Sequence, residues 1–217
     1  EFNKILNSIA EANDLDGVIN VADFNDETKL GKGKDLVETV SNLIGAFQKP
    51  ELDFVNNRAD NDDLLGDAYE YLMKNFASES GKSKGQFYTP SEVSRVMAKV
   101  IGIHKDTRHS LSIYDPTCGS GSLLLKAWHE TLHPDSASIF GQEKDISNVG
   151  MAKMNMVLHH NETPEILNGD TLNNPRFIHG NDLDTFEYIV ANPPFSTKSW
   201  LKGAKENDIF GRWGNGV

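Results

Sequence analysis

Of 217 residues only one, Cys118, is a cysteine. A lone thiol closes no internal disulfide, so the fold must rest on its core alone, as expected in a reducing compartment. No run of about 18 apolar residues occurs, which argues against a membrane partner entered by a helix. The opening stretch EFNKILNSIAEAN lacks a charged leader followed by an apolar segment, so no secretory signal is read there and the expected location is the cytoplasm. Cysteine and histidine nowhere cluster at zinc spacing, so no metal is expected. Basic residues are scarce as well: 21 Lys and Arg against 32 Asp and Glu leave a net charge of −11. That argues against a chain gripping nucleic acid unaided, because phosphate binding draws on Lys and Arg to displace counterions. The imbalance is uneven: residues 1–81 hold 17 acidic and 7 basic side chains, whereas 82–108 hold 6 basic and 2 acidic. The short basic segment reads as a solvated helix face or as the edge of a cleft.

What is present reads as two domains. In GKDLVETVSNLIGAFQ, the residues Leu36, Val37, Val40, Leu43, Ile44 and Phe47 recur at three- and four-residue steps and predict one buried helix face. In DDLLGDAYEYLMKNFA, Leu64, Ala68, Leu72 and Phe76 repeat every four behind Asp62 and Asp63, which suit the positive end of a helix. The Ser, Gly and Lys content of residues 78–86 marks a connection. The expected division is therefore a helical domain over 1–80 and a second domain over 81–217. The second domain opens on QFYTPSEVSRVMAKVIGI, where Thr89 and Glu92 have capping-box spacing and Pro90 suits the first helical position. Val93, Val96, Met97, Val100 and Ile101 then form an apolar stripe.

From Ile113 onward the pattern changes to strand, tight loop and helix. LSIYDPTCGSGSLLLKAWHETL sets Gly119 and Gly121 where ligands sit in open parallel sheets, beyond a strand's carboxyl end. A dinucleotide fingerprint wants a third glycine where Leu124 stands, and the phosphate-loop lysine is missing. Asp115 at the head of the loop suits an ammonium group better than a diphosphate. A second strand ends at Glu143, 22 residues beyond Gly121, about the spacing at which an acid accepts ribose hydroxyls. A third strand, EILNGDTL, brings Asp170 to the same edge, where it can accept from an adenine amine. Each acid alone is as well explained as a cap or turn former; three at successive strand ends are not.

DPTCGSGS, GQEKD, NGDTL and NPPF, in this order behind GQFYTP, resemble the motif series of S-adenosylmethionine-dependent adenine DNA methyltransferases. LLGDAYEYLMKNFASESGKSKGQFYTP narrows the resemblance to the modification subunit of type I restriction-modification systems. The resemblance implies an α/β fold: a Rossmann-like class I methyltransferase sheet, cut off after about its fourth strand, preceded by a small all-α domain. Its cofactor would be S-adenosylmethionine, with Gln86, Phe87, Tyr88, Thr89, Pro90 and Ser91 at the methionine end. Asp115, Gly119, Ser120, Gly121 and Ser122 form the glycine loop, Glu143 holds the ribose and Asp170 the adenine. Implied partners are DNA with its target adenine turned out of the duplex, a specificity subunit, a restriction subunit where a nuclease accompanies the system, and a second copy of the modification subunit.

The catalytic group implied is Asn192, Pro193, Pro194 and Phe195. An aromatic amine is a weak nucleophile because its lone pair is delocalised, and it needs acceptors that draw its protons. The Asn192 side-chain carbonyl and the Pro193 backbone carbonyl are two such acceptors, aimed by the restricted backbone of Pro193 and Pro194. Phe195 would stack on the extruded base. Cys118 is read as small packing material, and His159 and His160 as residues at the end of a helix. RNA or protein-glutamine methylation, which shares the Asn-Pro-Pro device, and a non-catalytic cofactor-binding subunit are the alternative readings.

Overall fold

The computed structural model describes residues 1–13, 15–50, 71, 72, 75, 89–159, 161, 164–194 and 208–213, with the backbone alone for Ser91. The chain divides into two compact units, Glu1–Ala68 and Tyr69–Val217. The predicted helix around Leu64–Phe76 and the connection over 78–86 lie outside the described residues, save that Tyr71, Leu72 and Asn75 are helical.

In the first unit the described elements are helices: α1 (Phe2–Ala12), a single turn α2 (Glu27–Leu30) and α3 (Lys34–Phe47). Asp26 begins α2 by accepting the Thr28 amide at 2.9 Å, which satisfies one of the helix's free donors. Phe2 packs on Phe24 with ring centroids 4.3 Å apart. The helix predicted over the Leu36–Phe47 stripe is present, but its expected burial is not. No residue of α3 is buried, and Phe47 is 68% exposed. Leu43, Ile44 and Phe47 instead line an open apolar groove with Phe2, Leu6 and Phe24. Periodicity places apolar residues on one face of a helix, but a second layer must exist before that face is a core.

The second unit is a parallel sheet with helical crossovers. Its elements are α4 (Ser91–Val100), β1 (Ser112–Asp115), α5 (Ser122–His129), β2 (Ser138–Glu143), α6 (Ile146–Leu158), β3 (Glu165–Asn168), a short hairpin β4 (Ile178–His179) and β5 (Asp182–Leu183), and β6 (Tyr188–Ile189). The sheet order is β3-β2-β1-β6. The chain therefore steps outward from β1 to β3 and then returns to the other side of β1. This reversal is a topological switch point, the place where open α/β sheets leave a crevice. In register, Ile113 pairs with Ile139 and Tyr188, and Gly141 with Ile166.

One face of the sheet carries the core. Ile113, Ile139, Ile166 and Val190 are buried against Leu124, Leu125, Ala152 and Met156 of α5 and α6, each large side chain contributing about 1.5–3 kcal/mol. On the other face Tyr114 and Phe140 meet Phe177 and Phe186. Helix α4 packs on α5 through small residues, with Ser94 and Ala98 fully buried. Of the predicted stripe Met97 packs against this core, whereas Val93, Val96, Val100 and Ile101 stay exposed. The hairpin β4–β5 was not expected; its two-residue connection, Gly180–Asn181, with Gly180 at φ +64°, is the signal that reveals it.

Gly121 stands at φ +79° with Ala152 and the Met156 methyl close by, so that a Cβ there would lie 2.9 Å from Met156 Cε. Both the left-handed backbone and the close helix contact require glycine. Gly121→Ala is expected to lower stability by about 1–3 kcal/mol, read from the midpoint of urea unfolding.

Candidate active site at the β1–β6 switch point

Four strand ends converge on one edge of the sheet. β1 ends in Asp115, β2 in Glu143, β3 lies two residues before Asp170, and β6 leads through Val190 to Asn192. The Val190 amide donates to Tyr114 O at 2.9 Å, so the parallel ladder continues past β6 and holds Asn192 beside the head of the glycine loop.

The loop itself is built from backbone geometry. The Cys118 amide donates to Gln142 O at 3.0 Å, and the Gly119 amide to Glu143 Oε2 at 3.0 Å. Gly119 and Gly121 both take positive φ, +55° and +79°. From behind, the buried Asn155 side chain donates to Ser120 O at 3.1 Å. Gly141 has no side chain because a Cβ there would lie 3.1 Å from Cys118 Sγ and 2.7 Å from Ile166 Cδ1. Cys118 is 5% exposed and burial pushes its thiol up, which agrees with packing and not with a nucleophile. Ser120 and Ser122 are buried with their hydroxyls paired at 3.0 Å, so the side chains look inward and only their backbone is available to a ligand.

The carboxylates differ in character. Asp115 is 1% exposed; its Oδ1 accepts the Thr117 amide at 2.9 Å, and among the described residues no cation faces it. Burial pushes its carboxyl up to about 7, against the Thr117 hydrogen bonds, and the nearby Glu143 charge adds to the rise. Glu143 is half-buried, with Oε1 accepting the Asp145 amide at 2.8 Å and Oε2 accepting from Gly119. Each of its oxygens keeps a lone pair for a further donor. Asp145 caps α6 through the Ser147 amide. Asp170 accepts the Leu172 amide at 3.1 Å and pairs with the exposed Lys144 at 2.8 Å. It thus serves as a turn former whatever else it binds.

The expected capping box at Thr89 does not form. Helix α4 starts at Ser91 with Pro90 as its N-cap and no side-chain cap. Thr89 thus stands one residue before the capping position, and its hydroxyl accepts from Asn192 Nδ2 at 3.3 Å. This contact turns the amide so that Nδ2 is occupied, and among the described residues nothing donates to Asn192 Oδ1. Pro193 and Pro194 are exposed beyond it. Gln86, Phe87, Tyr88 and Phe195 lie outside the described residues. Among the described residues of the basic segment, Arg95 and Lys99 face Glu130 at 2.9 and 3.8 Å and Arg108 faces Asp106 at 2.6 Å; Lys82 and Lys84 lie outside the described residues.

Sequence reasoning missed Thr117, Asn155, Lys144 and Gln142. Gln142 is fully buried, donating to Asn174 O at 2.9 Å and accepting the Arg176 amide at 3.0 Å, and so braces the turn after Asp170. A polar residue inside the strand pattern GQE was the available signal. His159 ends α6 with Nδ1 3.1 Å from Asn155 O, and His160 is outside the described residues. Among the described residues no cluster of His, Cys, Asp and Glu could hold a metal, and no helix is long and apolar enough to cross a membrane.

The N-6 DNA Methylase family matches residues 60–216, which include both the glycine loop and the Asn-Pro-Pro corner. The chain belongs to that family. The type I restriction enzyme MpnII methylase subunit of Mycoplasma pneumoniae is 36% identical over 85% of this chain and 35% of its own length. The EcoEI methylase subunit of Escherichia coli is 32% identical over 79% of this chain and 34% of its own. The crystal structure of the type I restriction-modification system methyltransferase subunit from Streptococcus thermophilus superposes with a TM-score of 0.73 at 31% identity, covering 96% of this chain and 44% of that one. The chain thus spans about a third of the length of these curated relatives.

S-adenosylmethionine is the cofactor that this methylase family implies, and the residues present fit it. Asp115 is a buried carboxylate that no cation among the described residues faces, Glu143 has spare acceptor capacity, and the loop between them is open-backboned. The raised Asp115 carboxyl makes a pH prediction. Between its ordinary 3.8 and about 7 the folded chain holds a proton that the unfolded chain has released. Stability should therefore fall as pH rises through that window, on the order of a few kcal/mol in all. Urea unfolding of wild type and Asp115→Asn across the same pH range checks this: the difference between them should shrink as pH falls toward 4.

Proposed function

We propose that this chain carries the cofactor site and part of the target site of an adenine-specific DNA methyltransferase. It would act as the modification subunit of a type I restriction-modification system, working in the cytoplasm, with residues 1–80 as a helical domain and 81–217 as the methyltransferase domain. The observation that carries the reading is the parallel pairing of β1 with β6, which sets Asn192 beside the Asp115–Gly121 loop.

S-adenosylmethionine, when bound, supplies an electrophilic methyl group on a sulfonium. Asp115 would receive its ammonium group, Glu143 its ribose hydroxyls and Asp170 its adenine amine, while Thr89, Pro90 and Ser91, with Gln86, Phe87 and Tyr88, would hold the methionine end. Asn192 Oδ1 and Pro193 O then accept the two N–H groups of the target adenine's 6-amino group. Accepting both protons pulls the nitrogen toward a pyramidal form, restores its lone pair and fixes its direction. The Thr89 hydroxyl contributes by holding Nδ2, which leaves Oδ1 as the atom that faces the amine. Pro193 and Pro194 keep the acceptors aimed. Phe195 stacks on the base once it has left the duplex, worth about 1–3 kcal/mol.

The net charge of −11 supports a division of labour in which a specificity subunit supplies most DNA contacts, with a second modification subunit and, where present, a restriction subunit in the same assembly. The exposed α3 face gives the helical domain an apolar surface for such contacts.

The test is transfer of a labelled methyl group, offered to duplex DNA, RNA and protein, by the full chain assembled with its partner subunits. Label is expected on adenine of DNA. In Asn192→Ala the transfer rate should fall at least about a thousandfold, while cofactor affinity stays within about threefold. Label on RNA or on a glutamine, or an unchanged rate in that variant, overturns the reading.

A further inference from the structure

Downstream of the Asn-Pro-Pro corner, the described segment 208–213 returns to the sheet edge and docks through one side chain. Asp208 and Arg212 form a pair four residues apart, with Nε 2.7 Å from Oδ1, and the Arg212 amide donates to Oδ2 at 2.6 Å. Asp208 is 3% exposed and Arg212 20%, so this is not a solvated surface contact. The two remaining guanidinium nitrogens point at the turn after β3: Nη1 donates to Thr171 O at 3.0 Å and Nη2 to Leu172 O at 2.7 Å. Phe210 and Trp213 flank the guanidinium, their ring centroids 5.7 and 5.5 Å from its carbon. Thr171 in turn donates its hydroxyl to Pro116 O, in the loop that Asp115 heads.

The arginine therefore clamps the turn immediately after Asp170, and the Thr171 hydroxyl links that turn to the one immediately after Asp115. The arginine's planar fork meets a carboxylate and two backbone carbonyls in separate fixed directions, a spread that the compact ammonium of a lysine does not reproduce. Those carbonyls belong to Thr171 and Leu172, directly after Asp170, so the arginine adds to Gln142 and Lys144 in fixing where that carboxylate stands.

We propose that Arg212 is a positioning residue of the cofactor site: it holds the Asp170–Leu172 turn against the Pro116 loop, so that Asp170 meets the adenine amine of the cofactor. The inference rests on the cofactor assignment proposed above and adds that the segment following the target-base corner sets adenine recognition.

The test uses binding of two probes, S-adenosylhomocysteine and its inosine counterpart, in which the purine amine is replaced by oxygen. Binding is measured by calorimetry on the full chain, with circular dichroism to establish that each variant is folded. Wild type is expected to prefer the adenosine probe by about tenfold or more, as one lost hydrogen bond to a charged group dictates. Arg212→Lys and Thr171→Val should reduce that preference to within about threefold, whereas Arg108→Lys, whose pair with Asp106 lies outside these turns, should leave it intact. Thr171→Val, which removes the link to Pro116 and keeps the arginine, carries the test should Arg212→Lys not fold. Variants that lose affinity for both probes equally, or that keep the wild-type preference, overturn the inference and leave the cofactor assignment standing. A wild type that binds the adenosine probe with no preference also overturns it. A wild type that binds neither probe overturns the proposed function together with it.

Discussion

The hydrogen bond from the Val190 amide to Tyr114 O, with the pairing of Ile113 to Tyr188 and Tyr114 to Ile189, is the contact on which the rest of the site depends. It exists because the chain, having laid β2 and β3 on one side of β1, crosses back and places β6 on the other. Parallel neighbours end at the same edge, so the glycine loop that follows β1 and the rigid corner that follows β6 emerge side by side. No side chain of the site brings these two pieces together. Backbone pairing does, and the side chains refine what it has brought together.

The electrostatics follow from that edge. Asp115 is buried at the head of its loop, and that burial raises its carboxyl, with a smaller addition from the charge of Glu143 on the same face of the neighbouring strand. An arrangement of this kind is unfavourable in isolation and becomes favourable when a cation and hydroxyl donors arrive. The backbone amides of Gly119 and Asp145 steady Glu143, and the Asp208–Arg212 pair steadies the turn beyond β3. The acidic edge fits a small cationic molecule, and a net charge of −11 does not suit a surface that grips phosphate by itself. Arg95, Lys99 and Arg108 spend their charge on internal carboxylates and do not form a groove.

Much of this was legible in the sequence, for identifiable reasons. Strand ends at Asp115 and Glu143 follow from an apolar run meeting an acid and a glycine turn, and the helix capped by Asp145 from a polar residue before an apolar stretch. The Rossmann-like sheet implied by the motif resemblance is found, with β1 beside β6. Other features were not legible because they depend on what lies opposite a residue. Thr89 and Glu92 have capping-box spacing, yet the Thr89 hydroxyl goes to Asn192, over a hundred residues away. The stripe of α3 has helical period, yet Phe47 and Val37 meet no second layer among the described residues. Arg212 carries no local pattern at all, and its role appears only when Thr171 and Leu172 are found beneath it.

The most direct measurement is a structure of the full chain with a non-reactive S-adenosylmethionine analogue and DNA bearing an extrahelical adenine. The account predicts the analogue along the Asp115–Gly121 loop, with the adenine N6 within about 3.2 Å of both Asn192 Oδ1 and Pro193 O and about 3–3.5 Å from the position of the transferable group. An analogue bound away from that loop, or an adenine amine that meets neither acceptor, would contradict it.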